Sequence, residues 1–128
     1  DMLDFELPQS VQGLSLLPCI HEEKDVRESL FFAYKDVQRA YKDGDYKLIE
    51  YVVPKKNMYL PNERRGEYIT TTQLFNIKED PLEMKNLAGL PDYQARLEDI
   101  REKLKKRSEE LNDRDEMGQT FWNNYSPK

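Results

Sequence analysis

The pair Asp43-Gly44 stands between two runs rich in Tyr, Val and Ile, so that residues Val37 to Val53 read VQRAYKDGDYKLIEYVV. A tight two-residue turn demands positive φ angles, which an Asp-Gly pair supplies at little cost, and this stretch is therefore expected to be an antiparallel hairpin. The second run adds a constraint of its own. Leu48 and Ile49 are adjacent, and neighbouring residues of a strand point to opposite faces. Both faces of that strand must be covered, and a sheet alone does not do this.

Further strand signals flank the hairpin. Ser29 to Tyr34, SLFFAY, has the aromatic density of a strand and is too short for a helix, while Ile69 to Ile77, ITTTQLFNI, is β-branched and alternates polar with apolar residues at its end. Pro54 to Tyr68 is broken by Pro54, Pro61 and Gly66 and dense in charge, and is expected to be a long loop. Asp80-Pro81-Leu82-Glu83 carries a helix start, because Asp80 can cap, Pro81 has its φ preset and Glu83 can reach back to a free amide. Gly89 is placed to end that short helix in a left-handed conformation.

A second helix is expected from Pro91-Asp92. Tyr93, Leu97, Ile100, Leu104 and Leu111 recur at helical spacing as one stripe, with Arg107 in the missing place, and the charged residues between them face water. Asp99 with Lys103 and Glu102 with Lys106 lie four apart in the favourable order, each pair worth about 0.2–0.5 kcal/mol. The expected fold class is α+β, a small antiparallel sheet of three or four strands with a C-terminal amphipathic helix packed on one face. Residues 1–28 read as an apolar tether and charged connector, 29–112 as the sheet with its helices, and 113–128 as a polar and aromatic tail. Phe121, Trp122 and Tyr125 of that tail either fold back on the sheet or meet another body.

Composition excludes several classes. The 128 residues have room for one domain with a modest core, and five Phe, eight Tyr and one Trp are too many for a disordered chain even though 35% of residues are charged. No apolar run approaches the ~18 residues of a membrane span, and a net charge of −5 provides no dominant basic surface to displace counterions. Neither a membrane nor a nucleic acid is an expected partner. The single Cys19 forbids an internal disulfide and reads as a small buried hydrophobe, and the single His21 reads as a surface residue that cannot build a histidine-rich metal cage. The chain opens at Asp1 with no initiator methionine, basic n-region or apolar h-region, which leads to the expectation of a mature end or a fragment, and of these a fragment.

The ordered motifs resemble those of sulfatases. Pro8, Gly13, Ser15, Leu16, Leu17 and Pro18 match a P-x-x-x-x-G-x-S-L-L-P pattern that closes the catalytic domain in that family, and Arg27 then precedes an aromatic strand. QRAYKDGDYKLIEY resembles the family's hairpin of a strand arginine, a turn and Gly-x-Tyr-Lys-Leu-Ile, and QLFNIKEDPLEMKNLAGLPDY its Leu-Phe-Asn, Glu-Asp-Pro and Asn-Leu elements. The resemblance runs from about residue 8 to residue 112. It implies the C-terminal subdomain of an arylsulfatase-like enzyme of the alkaline-phosphatase superfamily, a small sheet with a long helix attached to a large α/β body. A periplasmic or secreted parent is implied with it.

The chemistry of the family is not carried by this chain. Sulfatases use a Cys/Ser-x-Pro-x-Arg motif whose first residue becomes formylglycine, together with Asp and Asn ligands to calcium, whereas Cys19 is followed by Ile20, His21, Glu22 and Glu23. No catalytic residue, metal ligand or cofactor is therefore expected here, and formylglycine and calcium are implied only for the missing catalytic domain. The resemblance makes that domain the principal partner and a sulfated carbohydrate or aryl sulfate the substrate.

Candidate substrate contacts are Tyr34, Lys35 and Arg39, an aromatic to stack on a ring and two cations for an anion, set against the alternative that Arg39 pairs with a carboxylate of the body. Lys55-Lys56 and Arg64-Arg65 are a solvated loop or a grip on an anionic glycan. Leu3, Phe5, Leu7, Leu14 and Leu16 with one sheet face are expected to form an exposed apolar patch, a surface for the body or for dimerisation. Two other functions remain open from the residues, a stand-alone protein- or carbohydrate-binding module and a subdomain of a phosphomonoester or phosphonate ester hydrolase.

Overall fold

The computed structural model describes residues 8, 13–22, 27–54, 68–115 and 118–127. Leu3, Phe5, Leu7, both basic pairs and most of the expected Pro54 to Tyr68 loop lie outside the described residues. The order of elements is α1 (Leu17–Glu22), β1 (Ser29–Tyr34), β2 (Gln38–Asp43), β3 (Tyr46–Pro54), β4 (Tyr68–Asn76), a 3-10 turn (Pro91–Tyr93) running into α2 (Gln94–Glu110), and α3 (Gly118–Asn124). The four strands form one antiparallel sheet in the order β1-β2-β3-β4, so the fold is α+β as expected.

The β2–β3 hairpin is closed by Gly44-Asp45, one residue beyond the expected centre, because Asp43 pairs with Tyr46 across the ladder. Gly44 alone takes a positive φ, of 55°, which suits a two-residue loop that wants glycine at its first central position. The register then sorts the strands into two faces. Phe31, Tyr41, Leu48 and Leu74 stand side by side on one of them. There they pack with Leu97, Ile100 and Leu104 of α2 into the main core. Ile49 faces the other way with Ala40 and Phe75 as a second, smaller cluster. The adjacent pair Leu48-Ile49 is thus buried on both faces.

Along α2 the buried positions are Leu97, Ile100, Arg101, Leu104 and Ser108. The stripe therefore continues through Ser108, not through Arg107 and Leu111, which are exposed. Asp99 and Lys103 do meet, at 3.1 Å. The aromatic tail folds back: Phe121 is fully buried, and Tyr125 reaches the sheet through its hydroxyl.

Two expectations about local structure are not met. Asp80 to Ala88 is a series of turns, with Glu83 at φ 54° and no positive φ at Gly89. Long-range bonds win over the local helix signals. Asn86 Oδ1 accepts from the amides of Leu74 and Ala88, Asn86 Nδ2 donates to the Thr72 carbonyl, and the Leu87 amide donates to the Leu74 carbonyl. The segment thereby satisfies the outer edge of β4, which an isolated helix would leave unpaired. Likewise Leu17–Glu22 forms a short helix inside the stretch read as irregular, with the Ser15 hydroxyl accepting from the Leu17 amide and Pro18 in its first turn. Cys19 sits exposed on α1 instead of buried.

Candidate functional site

β1 ends at Tyr34, and a three-residue turn, Lys35 to Val37, leads into β2. Lys35 adopts a φ of 49°, a left-handed conformation that a residue with a side chain keeps only when its surroundings hold it. Two things hold it. The Val37 amide donates to the Tyr34 carbonyl at 3.4 Å, and Arg39 Nη1 donates to the carbonyls of both Lys35 and Gln38 at 2.8 Å. Tyr34 and Lys35 stand exposed at the tip, and the Lys35 ammonium lies 5.4 Å from the centre of the Tyr34 ring. An exposed aromatic with a cation at its face can stack on a ring and meet an anion.

Arg39 is in a different position. It is among the most deeply buried side chains, 1% exposed, with its Nε donating to Asp113 Oδ2 at 2.5 Å and its guanidinium 4.9 Å above the Phe121 ring. Of the three sequence candidates the structure groups Tyr34 and Lys35 on the surface and sets Arg39 beneath them. The carboxylate paired with Arg39 is Asp113 of this chain, not one supplied by the body.

Behind the turn the sheet holds a second buried charge. Glu50 Oε1 accepts from Arg101 Nε at 3.0 Å and from the Tyr125 hydroxyl at 2.8 Å, and Glu50 Oε2 accepts from the Thr72 hydroxyl at 2.7 Å. Burial by itself would lower the Arg101 pKa, but the hydrogen bond and charge of Glu50 outweigh it and the guanidinium is held charged more firmly. Burial raises the Tyr125 phenol, and the neighbouring Glu50 carboxylate raises it further. Glu50 and Arg101 are buried and, among the described residues, no buried side-chain polar atom lacks a partner, which makes the cluster a structural element.

Glu50 and Asp113 escaped the sequence reading. A signal for Glu50 exists, since it shares the core-facing parity of Leu48 and Val52 and therefore needs a buried cation. Nothing local marks Asp113, whose buried cation lies 74 residues away.

A cleft of about 710 Å³ opens between β1, the approach to α1 and the end of α2, lined by Arg27, Glu28, Phe31, Tyr41 and Arg107 among others. Its charges are mixed. Among the described residues no three of His, Cys, Asp and Glu stand together as metal ligands, and no helix is long and apolar enough to cross a membrane. Cys19 and its neighbours on α1 do not fit a formylglycine site, lacking the proline and arginine.

No protein-family model matches the chain. It is 34% identical over 112 residues to an arylsulfatase of Clostridium perfringens, a match covering 84% of this chain and 21% of that protein. An ulvan-active sulfatase of Formosa agariphila is 34% identical over 101 residues, covering 58% of this chain and 17% of its own length. An uncharacterized protein of Haemophilus influenzae is 27% identical over 120 residues, with 88% of this chain and 53% of that one covered. Among solved structures, a protein in complex with its substrate D-glucosamine-2-N,6-O-disulfate matches with a TM-score of 0.62 at 23% identity, covering 86% of this chain and 22% of that one. The chain thus spans about a fifth of the length of the two named relatives.

Proposed function

We infer from these relatives, which bear out the resemblance to sulfatases, that the chain is the C-terminal subdomain of a sulfatase. The parent enzyme hydrolyses sulfate esters on a carbohydrate or aryl substrate, and this piece is not catalytic by itself but helps to shape the substrate cleft. The observation that carries the reading is the match of 84% of this chain to only 21% of an arylsulfatase, on a fold it shares with a protein that binds a sulfated sugar. Residues 1–28 join the piece to the catalytic body, and 29–112 form the subdomain. Residues 113–128 complete it.

Formylglycine and calcium supply the nucleophile and the charge neutralisation in such enzymes, and their residues belong to the body. What this chain contributes is binding. Tyr34 and Lys35 offer a ring face and a cation at the tip of a held turn, which suits a sulfated sugar. On the sheet face opposite α2, the exposed residues Phe32, Val53 and Ile69 meet the body, with a second copy of the chain as the other occupant to test.

The test uses the full-length enzyme and the isolated chain side by side, with D-glucosamine-2-N,6-O-disulfate and para-nitrophenyl sulfate as substrates and calcium present. The full-length enzyme releases sulfate and the isolated chain does not exceed a heat-treated control. In the full-length enzyme Lys35→Ala and Tyr34→Ala raise KM for the sugar several-fold more than for the aryl ester, while kcat changes little. Turnover by the isolated chain, or equal effects on both substrates, would sink the reading.

A further inference from the structure

Asp113 lies just beyond α2, after Asn112 at φ 58°, with its amide bonded to the Ser108 carbonyl. One oxygen, Oδ2, accepts from two directions, from Arg39 Nε and from Trp122 Nε1 at 2.9 Å. Phe121 closes the same guanidinium from above. Gly118, the first residue of α3, packs so tightly on the Asp113 carbonyl that a Cβ there would overlap it. The C-terminal segment therefore encloses Arg39 by charge, by ring contact and by backbone packing.

The other end of Arg39 is spent on the β1–β2 turn. Its Nη1 bridges the Lys35 and Gln38 carbonyls, and the turn contains the left-handed Lys35 that needs such support. A buried guanidinium without a carboxylate is an uncompensated charge that turns to find water, and it takes its other hydrogen bonds with it. From this geometry we propose that Asp113 is a positioning residue. Through Arg39 it sets the shape of the β1–β2 turn and so the presentation of Tyr34 and Lys35.

The effect on substrate rests on the proposed function, whereas the effect on the turn does not, and two readouts keep them apart. In the full-length enzyme, hydrogen exchange of a peptide spanning Tyr34 to Gln38 becomes at least about tenfold faster in Asp113→Ala, while a peptide spanning Leu97 to Leu104 keeps its protection. Asp113→Asn, which retains an oxygen for both donors but not the charge, restores only part of the turn's protection. If Asp113→Ala does not fold, Arg39→Lys replaces it, since a lysine keeps the charge at Asp113 but cannot bridge two carbonyls with the same fork. Alongside, KM for D-glucosamine-2-N,6-O-disulfate rises several-fold with kcat within about twofold. A turn that exchanges at the wild-type rate overturns the proposal, as does loosening spread equally over the turn and α2. A loosened turn with KM unchanged upholds the positioning role and instead removes Tyr34 and Lys35 from the substrate site.

Discussion

Arg101, on the buried stripe of α2, sets its Nε 3.0 Å from Oε1 of Glu50 in the middle of β3, and the two side chains are 4% and 0% exposed. The pair ties helix to sheet at the centre of the core, between Leu48 and Val52 on the strand and Leu97 and Leu104 on the helix. Glu98 also meets Arg101 from the solvent side. Two charges this deep contribute less net stability than their distance suggests, because each has lost its hydration.

Removing one partner is another matter. Arg101→Met leaves Glu50 charged and buried, and is expected to cost about 3–5 kcal/mol in a urea titration. The double variant with Glu50→Leu is expected to cost clearly less than the two single changes added together, since neither charge is then stranded. It does not recover fully, because the hydroxyls of Thr72 and Tyr125 lose their acceptor. Simple additivity of the two changes would show that the pair is not coupled.

Alkaline pH is expected to weaken the fold through Tyr125. Its pKa is raised above the ordinary 10.0, by burial first and then by the Glu50 carboxylate. Above pH 10 the unfolded phenol has lost its proton and the folded one has not, so the unfolded state binds fewer protons and stability falls as pH rises. The contribution is whole below that point and declines by at most about 1.4 kcal/mol per pH unit above it. Lys103, raised by its hydrogen bonds to Asp43 and Asp99, acts in the same direction above its ordinary 10.5. A Tm series from about pH 9 to about pH 11 should fall less steeply in Tyr125→Phe than in the wild type; parallel slopes would remove Tyr125 from the account.

Gly44 and Gly118 are expected to respond differently to alanine. Gly44 has open space for a Cβ, so Gly44→Ala meets only the strain of φ 55°, about 1–2 kcal/mol. Gly118→Ala drives a methyl into the Asp113 backbone and is expected to lose about 3 kcal/mol, with the near-ultraviolet signal of Trp122 changed as α3 lifts. Equal losses at the two sites would contradict this packing.

Asn86→Ala should release the Asp80 to Ala88 segment from the edge of β4. Three hydrogen bonds go at once, and a loss of about 1–3 kcal/mol is expected, with faster exchange at the Leu74 and Leu87 amides. Asn86→Asp keeps the accepting oxygen and loses only the bond to Thr72. It should retain most of the protection at Leu74, and exchange as fast as in the alanine variant would mean that the acceptor is not what holds the segment.

Much of the backbone was legible because its signals are local. SLFFAY became β1 with the expected bounds, the Gly44 turn closed the expected hairpin, and the spacing of Leu97, Ile100 and Leu104 named the buried side of α2. Periodicity and turn chemistry act over a few residues, so a sequence contains them whole. The adjacent Leu48 and Ile49 announced two buried faces for the same reason. Of the candidate site, Tyr34 and Lys35 were legible as an aromatic and a cation side by side, and the structure sets both exposed at one turn. The ordered motifs pointed to the sulfatases that the chain is similar to. What only the tertiary structure decided is which polar residues go inside. Arg101 looks like any helix cation until Glu50, 51 residues earlier, lies opposite it, and Arg39 becomes interior only because Asp113 and Phe121 fold over it. Asp80 to Ala88 has the local marks of a helix and is a chain of turns, because Asn86 and Leu87 bond to a strand edge that exists only once the sheet has formed. Burial of a charge or a polar edge depends on a partner distant in sequence, and no local pattern contains that partner.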